Sequence, residues 1–160
     1  MAAVYVSIGS NLGDRSANLR FAIEKIEEAV NADVRVSSVF ESKPWGYHSD
    51  NPFYNIVAEF ETDIDAHKLL DIFKSIEREA GSTSHRDKYG NYADRTLDID
   101  IISVGNNIIK SPSLEIPHPH IAEREFVLVP LSELSPGWTH PLTGLTATDM
   151  LKKLKSHIGH

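Results

Sequence analysis

Apolar side chains at Val4, Val6 and Ile8 alternate with Tyr5 and Ser7, a period of two that predicts a strand. The run closes on Gly9-Ser10-Asn11-Leu12-Gly13-Asp14, a turn composition, with Asp14 placed to cap a helix. The spacing then changes. Leu19, Ala22, Ile23, Ile26, Ala29 and Val30 recur at three and four, which predicts a helix with one apolar stripe that stops near Asn31 and packs on the sheet. Residues 34–41 predict a second strand, interrupted at Ser37-Ser38 where a bulge is expected. A loop with two prolines, a glycine and two aromatics runs from Ser42 to Pro52, and a third strand from Phe53 to Thr62. Leu69, Leu70, Phe73, Ile76 and Ala80 predict a second amphipathic helix, ended by Gly81, and residues 96–104 a fourth strand.

Strand, helix, strand, strand, helix, strand is the order of an α+β, ferredoxin-like split βαβ sheet with both helices on one face. The remaining third reads as a less regular C-terminal extension. Residues 111–141 are rich in proline and histidine around a short apolar run, 126–131, and residues 146–155 predict a closing helix. With no internal repeat or linker, one domain over residues 1–160 is expected.

Composition narrows the chemistry. The chain has 41% hydrophobic and 24% charged residues, enough apolar material for a core. It has no cysteine, which excludes disulfides, thiol catalysis and thiolate metal sites and leaves oxygen or imidazole as ligands. No apolar run is long enough to span a bilayer and the first residues lack a targeting pattern, so a cytoplasmic location without membrane contact is expected. The net charge of −7, from 16 Lys+Arg against 23 Asp+Glu, argues against nucleic acid as a partner. Any phosphate ligand then needs a local basic patch, and Arg78, His85, Arg86, Lys88 and Arg95 fall in one stretch, although composition alone favours a solvated loop there.

Parity selects the candidate site. In Leu97-Asp98-Ile99-Asp100-Ile101 the two carboxylates share one face and the three aliphatic side chains the other, which must be the core. Asp98 and Asp100 are therefore expected to project from the face the helices leave uncovered, where a hard cation such as Mg²⁺ would relieve their repulsion. A solvent-facing acidic strand would read the same way. By the same parity Phe53 and Asn55 join the carboxylates' face, where an aromatic ring and an amide suit a flat heterocycle, or where the Phe is simply covered by the preceding loop. Arg95, three residues before Asp98, could oppose the metal as a phosphate clamp. His118-Pro119-His120 reads as hydrogen-bonding histidines more readily than as a metal pair, and Gly9 to Gly13 as a tight structural turn. On the residues alone a metal-dependent nucleotidyl or glycosyl transferase, or a non-catalytic small-molecule-binding module, stays open.

These blocks, taken in order, resemble the 6-hydroxymethyl-7,8-dihydropterin pyrophosphokinases. The resemblance rests on Ile8-Gly9-Ser10-Asn11-Leu12-Gly13, Phe53-Tyr54-Asn55, Arg95-Thr96-Leu97-Asp98-Ile99-Asp100-Ile101, and Pro117-His118 followed by Arg124 and Phe126. It implies transfer of pyrophosphate from ATP to the hydroxymethyl group of the pterin, with release of AMP, in folate synthesis. It implies two Mg²⁺ ions on Asp98 and Asp100, and a catalytic set of those two with Arg95 and Arg86. Contacts to ATP are implied for Arg95, Ile101, His118, Arg124, Glu77 and Lys88. The pterin is implied to stack between Phe53 and Phe126, hydrogen-bond Asn55, and meet Ser42, Pro44, Trp45 and Gly46. The resemblance also implies loops, 43–52 and 82–94, that close over the reactants, and a monomer that meets only small molecules. Tyr92, Ala93 and Asp94 depart from the family's usual Trp, Gly and Pro, and Ser82 stands in place of an arginine, so Arg86 or Lys88 is expected to supply that charge.

Overall fold

The computed structural model describes residues 1–43, 51–81 and 96–158. Its sheet is built on β1 (Ala2–Ser10), which pairs antiparallel with β4 (Phe53–Thr62) on one side and β5 (Asp98–Val104) on the other. The outer edge of β4 carries two short strands, β2 (Arg35–Val36) and β3 (Phe40–Ser42), so the order is β2-β4-β1-β5 with β3 beside β4. The single strand expected over residues 34–41 is instead two short strands, broken at residues 37–39 around the Ser37-Ser38 interruption where a bulge was expected. β1 continues through Gly9 and Ser10, beyond the expected turn, because Gly9 and Ser10 still pair with Asn55 and Tyr54.

Two helices cover one face. In α1 (Arg15–Val30) the Asp14 carboxylate accepts the Ala17 N–H at 3.0 Å, and Asn31 ends the helix in the left-handed region at φ 53°. In α2 (Ala66–Glu79) the Asp65 carboxylate caps His67 N–H, and Gly81 follows at φ 94°. Leu19, Ala22 and Ile26 of α1, with Leu69, Phe73 and Ile76 of α2, pack on Val4, Val6, Ile8, Ile56, Phe60, Ile99 and Ile101. Each of the buried Val, Leu, Ile and Phe side chains contributes about 1.5–3 kcal/mol, and the edge-on Phe60–Phe73 pair, with centroids 6.4 Å apart, adds to that.

The opposite face is half covered, which corrects the expectation that helices leave it bare. Tyr5, Val57 and Ile102 pack there against α3 (Glu125–Leu134), α4 (Ala147–Ile158) and Trp138. α3 escaped sequence reading because Pro130 lies inside it and removes one helical hydrogen bond. A bulge in β5 serves this second core. Val6 pairs with Ile101 but Tyr5 pairs with Ser103, leaving Ile102 as the extra residue. Ile102 and Ser103 both turn toward α3 and α4, Ser103 Oγ accepts the Trp138 indole N–H at 3.0 Å, and Val104 returns to the first core. Beyond β5, a small hairpin of β6 (Ile109–Lys110) and β7 (Glu115–Ile116) lies alongside it, and His118 N–H bonds Ile102 O at 2.9 Å.

Candidate active site

The uncovered half of the second face forms a cavity of about 500 Å³. Its floor is the register of the sheet. Asn55, Gly9 and Asp98 sit side by side across β4, β1 and β5, and Val57, Ser7 and Asp100 form the next row. Strands lie about 4.8 Å apart, so Asn55 and Asp98 stand roughly 10 Å from each other across a floor with no side chain at Gly9. That separation fits one flat ring system between an amide wall and an acidic wall.

The amide wall is preset. Asn55 is buried, and its Nδ2 donates to Phe40 O at 3.1 Å and Ser42 Oγ at 2.7 Å, both from β3. With the amide hydrogens committed there, Oδ1 is directed over Gly9, where an added Cβ would meet it at 3.0 Å and Phe53 Cδ1 at 3.2 Å. Phe53 and Phe126 both line the cavity, from β4 and from the first turn of α3.

The acidic wall faces a cation. Arg124 Nη1 lies 3.9 Å from Asp100 Oδ2, and its guanidinium carbon lies 5.5 Å from the Phe126 ring centre. His118 sits beside it. His118 Nδ1 accepts the His120 N–H at 3.1 Å, which makes Nε2 the protonated nitrogen of the neutral ring. Burial, then the Arg124 and His120 charges, push this imidazole from the ordinary 6.5 to about 4, against a smaller opposing effect of Glu115. The unfolded chain thus takes up a proton near pH 6.5 that the folded chain refuses until near pH 4. The stability from keeping His118 neutral is full above pH 6.5 and is lost as pH falls toward 4, by up to about 3 kcal/mol. Urea unfolding at pH 7 and pH 4.5 should therefore show wild type losing more stability on acidification than His118→Gln. Equal losses would mean that His118 titrates normally.

Of the residues singled out in the sequence, Ser42, Phe53, Asn55, Asp98, Asp100, His118, Arg124 and Phe126 converge on this cavity. Two do not line it. Ile101 is buried in the first core, so only its backbone is left to meet a ligand. Glu77 is buried under β5, where its Oε2 accepts the Ile99 N–H at 2.7 Å. Pro44, Trp45, Gly46, Arg86, Lys88 and Arg95, and most of the two loops expected to close, lie outside the described residues. Among the described residues no cluster of three or more His, Asp or Glu forms a metal cage, and His118-Pro119-His120 is engaged in hydrogen bonding.

Sequence reading missed Ser7 and Gly9, although their alternation with Val6 and Ile8 carried the signal, and the Ser111 to Glu115 turn, for which no signal existed. The turn after β1 is structural, as expected. Asn11 Nδ2 bonds Asn51 O, Arg15 bonds Pro52 O, and Asn18 Nδ2 bonds both Leu12 O and Thr96 O. It thus fastens the starts of β4 and β5, the strands that carry Asn55 and Asp98.

A half-covered antiparallel sheet with two carboxylates, two phenylalanines and a fixed amide around one cavity defines a small-molecule site of mixed character, acidic on one side and aromatic on the other. Residues 5–136 match the family described as 7,8-dihydro-6-hydroxymethylpterin-pyrophosphokinase, HPPK, and the chain belongs to that family. It is 43% identical over 143 residues to the 2-amino-4-hydroxy-6-hydroxymethyldihydropteridine pyrophosphokinase of Porphyromonas gingivalis, covering 88% of this chain and 95% of that one. The protein of the same name from Aquifex aeolicus is 38% identical over 142 residues, covering 89% and 86%. Among solved structures, a triple mutant of Plasmodium falciparum HPPK-DHPS aligns with a TM-score of 0.74 at 15% identity, over 99% of this chain and 45% of that one. This chain thus spans under half of that longer protein, and at such identity the likeness speaks for the fold alone.

Proposed function

We propose that the cavity is the active site of the family's reaction, with the pterin on the Phe53–Asn55–Phe126 side and the phosphates of ATP on the Asp98–Asp100 side. The chain transfers pyrophosphate from ATP to the hydroxymethyl group of 6-hydroxymethyl-7,8-dihydropterin and releases AMP, in folate biosynthesis. The observation that carries the placement is that one sheet row puts the Asn55 acceptor and the Asp98 carboxylate on opposite sides of a bare glycine.

Each residue has a part that its geometry supports. Asn55 Oδ1, fixed by Phe40 O and Ser42 Oγ, accepts an N–H from the pterin ring and sets its rotation in the slot. Phe53 and Phe126 hold the ring by its faces and keep water from it. The hydroxymethyl oxygen is then aimed at the β-phosphorus, bonding to it as the bridging oxygen leaves with AMP. His118, neutral and with Nε2–H available, and Arg124 donate to phosphate oxygens on the acidic side. Asp98 and Asp100 offer hard oxygen donors on one face without any thiolate, a set that fits Mg²⁺. Two such ions held there would supply neutralisation of phosphate charge and stabilisation of the attacking and leaving oxygens. Arg95, Arg86 and Lys88 complete the proposed phosphate contacts, with Glu77 and the Ile101 backbone toward ATP, and Pro44, Trp45 and Gly46 toward the pterin.

The strand order, with α1 and α2 on one face, supports a ferredoxin-like split βαβ core extended by α3 and α4. We further propose that residues 1–160 act as one domain, monomeric and cytoplasmic, with small molecules as their only partners. No helix among the described residues is long and apolar enough to cross a membrane, and the net charge of −7 does not favour nucleic acid. The test follows nucleotide products from ATP and Mg²⁺ with and without 6-hydroxymethyl-7,8-dihydropterin. AMP formed only with the pterin is expected. ADP, or no product from the folded protein, would overturn the reading.

A further inference from the structure

α3 carries Phe126, one wall of the proposed pterin slot, and makes a second contact at its far end. Phe126 and Glu133 are seven residues apart on this helix, two turns along the same stripe and about 10 Å from each other. Phe126 points into the cavity. Glu133 reaches across to the break between β2 and β3, where one carboxylate oxygen accepts the Ser38 N–H at 2.6 Å and the other accepts the Ser38 hydroxyl. Two residues further, β3 begins. It carries Phe40 O and Ser42 Oγ, the two acceptors that orient Asn55. The Ser38–Glu133 pair therefore joins, outside the cavity, the two elements whose other ends hold opposite sides of the ligand.

The contact is poorly explained as core stabilisation. Both residues are exposed, and an exposed pair adds little to the fold as a whole. Its geometry is nevertheless bidentate, and the Ser38 hydrogen bonds hold the Glu133 carboxyl below the usual carboxylate range. Neighbouring bonds converge on the same end of α3. Arg35 bonds Leu134 O at 2.9 Å, and the Tyr5 hydroxyl bonds Ser135 Oγ at 3.0 Å and donates to Glu59 at 2.7 Å. These fix the helix end to β1, β2 and β4, and α3 also packs on β3; Glu133 adds a hydrogen-bonded tie to the segment that leads directly into that strand.

We propose that Ser38 and Glu133 are positioning residues for pterin recognition: their bidentate contact sets the spacing between the Phe126 wall and the Asn55–Ser42 wall. This rests on the placement of the pterin between Phe53 and Phe126. The two carboxylates of the proposed phosphate side stand on β5, off this link, whereas Arg124 caps α3 two residues before Phe126, so a shift of α3 acts first on the pterin and only secondarily on ATP.

The test is steady-state AMP release with the pterin and ATP varied separately, together with thermal unfolding. Glu133→Ala should raise the KM for the pterin about fivefold and the KM for ATP by clearly less. Ser38→Ala, which keeps the backbone donor, should have a smaller effect, and should add nothing on top of Glu133→Ala because both act through one contact. Glu133→Gln should restore part of the affinity. A parallel rise in both KM values, or a lowered unfolding temperature with an unchanged pterin KM, would overturn the proposal and leave the pair a structural one. Phe126→Ala separates the two levels. If it weakens the pterin while Glu133→Ala does not, only the positioning role fails; if it leaves the pterin KM unchanged, the slot is misplaced and the proposal falls with it.

Discussion

Asp98→Ala or Asp100→Ala is expected to lower pyrophosphate transfer by about 10³-fold or more while the protein remains folded. Both side chains leave β5 on the cavity face, whereas the packing of that strand rests on Leu97, Ile99 and Ile101 on the other face. Truncation thus removes oxygen donors without opening a hole in the core. Asp100→Ala also removes the carboxylate that lies 3.9 Å from the Arg124 guanidinium, so it should disturb the proposed phosphate contacts as well as metal binding. Single-turnover formation of AMP, with circular dichroism to verify folding, measures the effect. Near-normal Mg²⁺-dependent turnover in either variant would show that the carboxylates are not the metal ligands.

Gly9→Ala should act on the other substrate. The added Cβ would come within 3.0 Å of Asn55 Oδ1 and 3.2 Å of Phe53 Cδ1. Asn55 cannot retreat freely, since its Nδ2 is held at 3.1 Å by Phe40 O and at 2.7 Å by Ser42 Oγ. The clash must therefore be relieved by moving the groups proposed to face the pterin. An overpacking cost of about 1–3 kcal/mol at that wall corresponds to a rise in the pterin KM on the order of tenfold or more, with the KM for ATP little changed. Separate saturation curves for the two substrates decide it. If ATP binding weakened as much as pterin binding, the floor would not divide the cavity as described.

Much of this was legible in the sequence because the periodicities are clean. α1, α2 and the carboxylate end of β5 are half-buried elements; β1 and most of β4 are covered on both faces, yet Tyr5, Ser7, Asn55 and Glu59 still alternate with aliphatic residues, so the spacing states which side meets the α1–α2 core. The same parity puts Asp98, Asp100, Phe53 and Asn55 on one face. Where a proline interrupts a helix or elements are short, the signal fades. α3 buries Val127, Leu128, Pro130 and Leu131 around an internal proline, so it resembled a strand as much as a helix. β6 and β7 have two residues each, too few for any period, and their turn brings Ser111 to Glu115 to the cavity unannounced. Gly9 was read as part of a turn because its lack of a side chain suits a turn as well as it suits a floor. Ser38 and Glu133 lie 95 residues apart, and nothing local to either announces the other.

The extra residue in β5 gives one strand two independent phases. Up to Ile101 the strand keeps step with β1 so that carboxylates fall to one side and aliphatic groups to the other; past Ile102 the step slips by one, and a hydroxyl meets Trp138 while Val104 rejoins the α1–α2 layer. A strict alternation would force both halves to obey a single polar pattern, so any adjustment of the packing end would have to respect the requirements of the reacting end. The slip uncouples them. Substitutions beyond Ile102 that retune how α3 and α4 seat against the sheet need not rotate Asp98 and Asp100, so the direction of the two carboxylates is set separately from the packing of the second core.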